Sequence, residues 1–350
     1  MEDYYLKYDY FKNINLEDSF FDSLKGDYEG FEDWFQRKEN KKAYFYEDEK
    51  GIQAFLYLKE ENEELSDVEP VMPQKKRIKI GTLKINSHGT KLGERLVKKA
   101  LDYASKKNIF ELYVTVFPKH APLIKLLEKY GFEQAGNKNG ELVLIKNLQK
   151  IVGDVFKDYP LVKTEGNSLY LLSIFPKFHT LLFPDSILDN ETYDVLNDVS
   201  FTNSIRKIYI SYAPLSKEIK PGDVILIYRT KDKKEKAPAE YRSVATSLCV
   251  VSDIKKKSDF KSYQEFEEYC LKYSVFDEKD LPGLFKKNNM VVIDMTYNLA
   301  LEKRVIRRDL IEECGIDRNR NQRWSILKLN REQLDNVIEL GGINESFVIN

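Results

Sequence analysis

Residues 76–86 read KRIKIGTLKIN, and the alternation within them changes phase. Ile78 and Ile80 take one parity of an extended strand, whereas Leu83 and Ile85 take the other. Strand side chains alternate between two faces, so the apolar set cannot change parity without an extra residue. Gly81-Thr82 therefore predicts a β-bulge. The next stretch, INSHGTKLGERL (85–96), sets Gly89 and Gly93 four residues apart where the strand hands over to a helix. Leu92, Leu96, Val97, Ala100, Leu101 and Ala104 then mark one helix face. A kinked strand running straight into a helix N-terminus is a strong restriction on the fold.

That junction also carries chemistry. The loop and first helical turn offer unpaired backbone N–H groups backed by the positive end of a helix dipole, the makings of an anion site. Gly89 permits an unusual backbone angle, and Gly93 is expected to let a ligand approach where a Cβ would stand. The stretch matches neither GxxxxGK[ST] nor GxGxxG. Taken alone, two glycines in a strand–helix turn also fit a purely structural turn.

The flanking sequence organises around this core. Residues 17–38 read as helical and aromatic, and 43–59 as a hairpin turning at Gly51. Residues 59–76, charged and holding two prolines, read as a mobile loop. ELYVTVF (111–117) and ELVLIKNL (141–148) read as strands. Between them Pro122 starts a helix whose face holds Leu123, Leu126, Leu127 and Tyr130, and Gly131 ends it.

A chain of 350 residues suits two domains, here expected as 1–150 and 181–350 with a linker at 151–180. Lys+Arg (56) and Asp+Glu (57) nearly cancel, which argues against a bulk polyanion binder but leaves room for a local basic face. No apolar run is long enough for a membrane span, and the acidic start MEDYYLKYDYF lacks a signal-peptide core. Cys249, Cys270 and Cys314 are far apart and fit no metal spacing, so reduced thiols in a cytoplasmic protein without metal are expected.

In the second half, 205–212, 223–230, 243–254 and 289–299 read as strands, with a KPGD turn at 220–223. Helical runs fall at 262–274 and 330–340. Arg307, Arg308, Arg318, Arg320 and Arg323 gather beside Trp324. Arginines hold phosphates and an aromatic ring can stack a base. The interspersed Asp309, Glu312, Glu313 and Asp317 also fit a salt-laced surface, and Trp324 also fits a core strand.

Residues 1–148 resemble the GNAT acetyltransferase superfamily. HGTKLG aligns with that family's pyrophosphate loop at Gly93, while Lys91 replaces its middle glycine and His88 its Arg/Gln. KHAPLIKLLEKYGF (119–132) resembles the family's helix ending in Gly-Phe, here Gly131-Phe132, and the predicted bulge falls where the family splays two central strands. The resemblance implies acetyl-CoA as cofactor. Its pantetheine arm would lie on the backbone of Leu83 and Ile85. The backbone amides of His88, Gly89, Thr90, Lys91, Leu92, Gly93 and Glu94 would surround its pyrophosphate. Leu127 stands where the family's acid tyrosine is common, so His120 and Tyr130 are the candidate catalytic residues, each with a structural alternative: a loop or capping histidine and a core tyrosine. The bulged strand carries no carboxylate, which leaves Glu60 and Glu61 as the nearest bases.

Residues 181–330 resemble the PUA-like group that includes ASCH and EVE domains, whose members typically bind RNA or modified bases. The expected fold is thus an α+β GNAT fold, a mixed sheet with splayed central strands, followed by a PUA-like small β-barrel domain with helical insertions. The expected function is N-acetyl transfer to an amine, with RNA such as tRNA, or an RNA-associated protein, as partner through Arg318, Arg320, Arg323 and Trp324. An α-amine fits the missing base. Neutralising a lysine amine of pKa ~10.4 at pH 7 costs roughly 4–5 kcal/mol, against about 1.4 kcal/mol for an α-amine near ~8. Two other readings stand beside it: a nucleic-acid reader with a silent GNAT half, and a small-amine or protein acetyltransferase with a structural second domain.

Overall fold

A computed structural model describes residues 6–86, 91–183, 204–271, 273, 276, 278–317 and 324–350. The chain divides into two compact units, one carried by Met1–Leu148 and one beginning at Gln149.

The first unit runs β1 (Lys7–Tyr10), α1 (Asp22–Asp27), α2 (Phe31–Gln36), β2 (Lys42–Asp48), β3 (Gly51–Leu65), β4 (Met72–Ile85), α3 (Leu92–Lys106), β5 (Glu111–Val116), α4 (Ala121–Lys129), β6 (Glu133–Lys138) and β7 (Glu141–Asn147). Its sheet has the order β1-β2-β3-β4-β5-β7-β6. β4 and β5 are parallel, and the other neighbours are antiparallel. The change of parity in β4 is resolved as expected. Ile80 faces Leu58 and Thr82 faces Tyr57, so Gly81 is the extra residue. A Cβ on Gly81 would stand 2.8 Å from the Tyr57 ring, which is why the bulge holds a glycine.

Two expectations fail here. Residues 59–76 form no long loop: β3 and β4 continue through them as paired strands. The charges that suggested solvent instead face one another across the ladder, with Glu61 opposite Arg77 and Glu63 opposite Lys75, and opposite charges so placed stabilise a sheet. Arg77 is buried and bonds Glu111 of β5 at 2.5 Å. The helix expected over 17–38 is broken into α1 and α2 because Tyr28 is extended and Gly30 is left-handed, at φ 74°. Its aromatics nevertheless form one core, with Phe20, Phe21, Phe31 and Phe35 packed on Phe55 of β3.

The second unit runs β8 (Val162–Lys163), β9 (Leu169–Ile174), α5 (Pro176–Leu182), β10 (Arg206–Ser211), β11 (Val224–Arg229), α6 (Ala239–Arg242), β12 (Val244–Lys256), α7 (Tyr263–Leu271), α8 (Leu281–Phe285), β13 (Val291–Ile306), α9 (Arg307–Glu312), β14 (Ile326–Leu329), α10 (Arg331–Gly341) and β15 (Val348–Ile349). Six strands form a sheet in the order β10-β13-β12-β11-β9-β14, and β15 pairs with β8. Three register shifts between β12 and β13 bend it. Both faces are apolar. Leu171, Val224 and Leu226 pack with Leu334 and Val337 of α10, while Tyr170, Leu172, Ile225 and Ile227 pack with Leu182 and Phe183.

Residues 151–180 were expected as a linker. They supply β8, β9 and the start of α5, and β9 sits between β11 and β14. Its sequence LYLLSI is the nearly continuous apolar run of a strand covered on both faces. Among the described residues no helix is long and apolar enough to cross a membrane. All three cysteines are buried and free.

Candidate functional site

The bulge in β4 creates the central feature of the first unit. β4 pairs with β5 only from Ile78 to Ile80, opposite Leu112 to Val114. Beyond that point β4 stays on β3 through Ile85, and β5 stays on β7 through Val116. The sheet therefore opens between two strands that remain supported on their outer sides. Asn86 N–H donates to Gln53 C=O at 2.9 Å, which fixes the phase of the β3–β4 ladder. In an antiparallel ladder the hydrogen-bonding residues alternate. Asn86, Lys84 and Thr82 direct their peptide groups at β3, so Leu83 and Ile85 direct theirs into the opening. An extended ligand arm with amides of its own can pair with them as another strand would.

α3 begins beside this opening. Lys91 takes its N-cap position, and its side chain gives no cap hydrogen bond to the first turn. Leu92, Leu96, Val97, Ala100, Leu101 and Ala104 are all buried, as their spacing predicts. His88, Gly89 and Thr90 lie outside the described residues. Gly93 has a packing reason that its spacing alone did not show. A Cβ there would stand 2.8 Å from Leu126 Cδ2 and 3.2 Å from Ile85 Cδ1. The glycine lets α3 close onto α4 and β4. Glu94 is buried in the same turn, with Lys129 Nζ at 3.6 Å.

α4 carries the two candidate catalytic residues. Leu127 and Tyr130 are fully buried, so Tyr130 belongs to the core and only His120 is open to solvent. His120 forms the N-cap of α4, and its Nε2 lies 3.5 Å from Asp27 Oδ2. Lys119 also bonds Asp27, and this bond holds the Asp27 carboxyl below its usual range. Glu60 and Glu61 face Ile78 and Arg77, on the paired stretch of β4 before the point beyond Ile80 where the strands part. Burial pushes the Glu61 carboxyl up, but bonds from Lys59 and Tyr113 outweigh it and hold it below its ordinary value.

Two side chains absent from the sequence reading, Tyr28 and Glu141, meet near the end of β5, and a third, Lys84, bridges β4 to the segment around α1. Tyr28, which caps α1, lies with its ring centroid 5.3 Å from that of Phe117. Its hydroxyl donates to Glu141 Oε1 at 2.6 Å. Burial, and then this bond, raise the Tyr28 pKa. Lys84 reaches from β4 to the carbonyl of Phe20 and, at 2.6 Å, to Ser23 Oγ. Tyr28 and Glu141 are 113 residues apart in sequence, and no local pattern links them.

The second unit holds a cavity of about 400 Å³ lined by Ser173, Tyr228, Ser243, Arg307 and Trp324, among others. Trp324 is not a surface platform. It is buried in the core cluster, and its Nε1–H donates to Asp317 Oδ2 at 2.9 Å. The Arg307 guanidinium lies 4.4 Å from the Trp324 ring, and the Tyr228 ring is 5.0 Å away. Ser173 Oγ is buried without a partner among the described residues. Arg318, Arg320 and Arg323 lie outside the described residues.

Residues 8–132 match the profile described as Acetyltransferase (GNAT) family. No curated protein sequence matches the chain. Solved structures with similarity include ASCH from Zymomonas mobilis, at 11% identity and TM-score 0.32, covering 49% of this chain and 94% of that one. The PaiA N-acetyltransferase from Thermoplasma acidophilum, in complex with coenzyme A, is similar at 16% identity and TM-score 0.28, covering 41% and 99%. Human THYN1, in complex with DNA containing 5-methylcytosine, is similar at 13% identity and TM-score 0.30, covering 51% and 99%.

Proposed function

Given a GNAT-family acetyltransferase domain over residues 8–132, we propose that the chain is an acetyl-CoA-dependent N-acetyltransferase. The observation that carries this reading is the opening beside β4, into which the bulge at Gly81 and the ladder phase at Asn86 turn the peptide groups of Leu83 and Ile85. These groups would hold the pantetheine arm, and the backbone amides of the first turn of α3, from Lys91 to Glu94, would hold the pyrophosphate. Acetyl-CoA would supply the acetyl group as a thioester. His120, the open titratable group at the N-terminus of α4, would donate a proton on the thiol side. Asp27 would orient the ring.

The acceptor is read as an amine, with an RNA-linked α-amine such as that of an aminoacyl-tRNA as the specific form. The second unit would supply the RNA contact through its cavity, where Arg307 covers Trp324. Burial of Leu127 at the usual acid position supports a second reading, in which the first unit binds acetyl-CoA without turnover.

Labelled acetyl-CoA offered with charged tRNA, with total protein and with polyamines separates these readings. Transfer to charged tRNA supports the first. Transfer to protein or polyamine alone removes the RNA-linked acceptor. Binding without transfer to any of them favours the silent unit. In an active enzyme, His120→Ala lowers kcat more than it raises the apparent KM for acetyl-CoA. An unchanged kcat would remove His120 from the chemistry.

A further inference from the structure

Glu141 opens β7 and is buried, 8% exposed. A carboxylate buried to this extent ordinarily has a cationic partner or several donors. Among the described residues Glu141 has one hydrogen bond, from the neutral hydroxyl of Tyr28 to Oε1. Oε2 accepts from no described residue, and it is not sealed from solvent. No described cation pairs with it: Lys119 and His120, at the start of α4, face Asp27 instead. Glu141 is thus a buried negative charge with one oxygen open.

Its position shows what could meet it. The β5–β7 register ends with Val116 opposite Leu142, so Glu141 and Phe117 are the next residues at that end of the pair. Phe117 follows directly on β5, one of the two strands that bound the opening. The Tyr28 ring, whose hydroxyl bonds the carboxylate, packs on the Phe117 ring, 5.3 Å between centroids. A carboxylate beside such a pair of rings favours an organic ammonium, because the charge pairs with the open oxygen while adjoining methylenes and C–H edges can lie on an aromatic face.

We propose that Glu141 is the cation-binding group of the acceptor site and selects acceptors that arrive as protonated amines, with Tyr28 positioning the carboxylate. The proposal rests on the acetyltransferase reading, and it assigns to that site a specificity residue contributed by β7.

Phenethylammonium and 2-phenylethanol, similar in shape and different in charge, provide the probes. Each is titrated by NMR at pH 7 into the full chain and into Glu141→Gln. The expected result is that the full chain binds the ammonium at least about tenfold more tightly than the alcohol, and that Glu141→Gln loses this preference while its affinity for the alcohol stays the same. If Glu141→Gln fails to fold, Glu141→Met also removes the charge at similar length and carries the same expectation. No preference in the full chain, or a preference that survives loss of the charge, overturns the proposal. Acetyl-CoA binding is measured separately in the same samples. Its absence overturns the transferase reading, whereas its presence without ammonium preference overturns only the role of Glu141.

Discussion

At the scale of single residues, buried charge sets the clearest expectations. Glu111 is bonded by Arg77 and by Lys75, each at 2.5 Å, and Arg77 is almost wholly buried. Glu111→Ala leaves the guanidinium without its carboxylate and is expected to cost about 3–5 kcal/mol in chemical denaturation. A cost below about 1 kcal/mol would mean that Arg77 is solvated. His179 on α5 behaves in the opposite sense. It is fully buried, with Nε2 2.9 Å from Thr246 Oγ1, and burial, aided by Arg229 and Arg304, lowers its pKa to about 3. The unfolded chain takes up this proton near pH ~6.5 and the folded chain does not, so His179 favours the folded state above that pH. Its contribution is lost as pH falls towards about 3, at about 1.4 kcal/mol per pH unit. His179→Gln should flatten that part of the stability–pH curve, and an unchanged slope would show that the histidine is protonated in the folded protein. Neither residue stood out in the sequence. Glu111 looked like the polar start of a strand, and the burial of His179 depends on neighbours remote in the chain.

At the scale of elements, the parity change in β4 was legible because the period of a strand is a local property. The bulge fell at Gly81 as that rule requires. The long β3–β4 ladder was not legible, because its charged residues look solvated until the opposite strand is known. The α3 face was readable from its spacing, whereas the purpose of Gly93 was not, since its neighbours come from α4 and β4. Gly93→Ala therefore sets two effects against each other. Crowding against Leu126 at 2.8 Å and Ile85 at 3.2 Å costs roughly 1–3 kcal/mol, against a gain of up to about 1 kcal/mol in helix propensity. The single variant is expected to be less stable. With Leu126→Ala as background the crowding is relieved, and the same substitution should be neutral or stabilising. Equal effects in both backgrounds would show that Gly93 does not serve the packing of α3.

At the scale of the whole molecule, two separate cores predict two separable units. A chain cut after Leu148 should leave 149–350 able to fold. A cut at residue 180 should not, because it removes β9, whose neighbours β11 and β14 would lose their common partner. Cooperative thermal unfolding of 149–350, and its loss in 181–350, is the expected pair of results; cooperative unfolding of both fragments would make β9 dispensable. The division into two halves was visible in the sequence, but its position was not. Gly153, Pro160 and Gly166 resemble linker composition, and the apolar run that follows them has no helical or alternating period. The central claim is that acetyl-CoA lies along the open edge of β4. Amide hydrogen exchange at Leu83 and Ile85, followed by NMR with and without acetyl-CoA, tests it most directly. Both amides should exchange readily in the free protein and at least about tenfold more slowly in the complex, while the Lys84 amide, directed at β3, changes little. Binding of acetyl-CoA that leaves Leu83 and Ile85 unprotected would contradict the account.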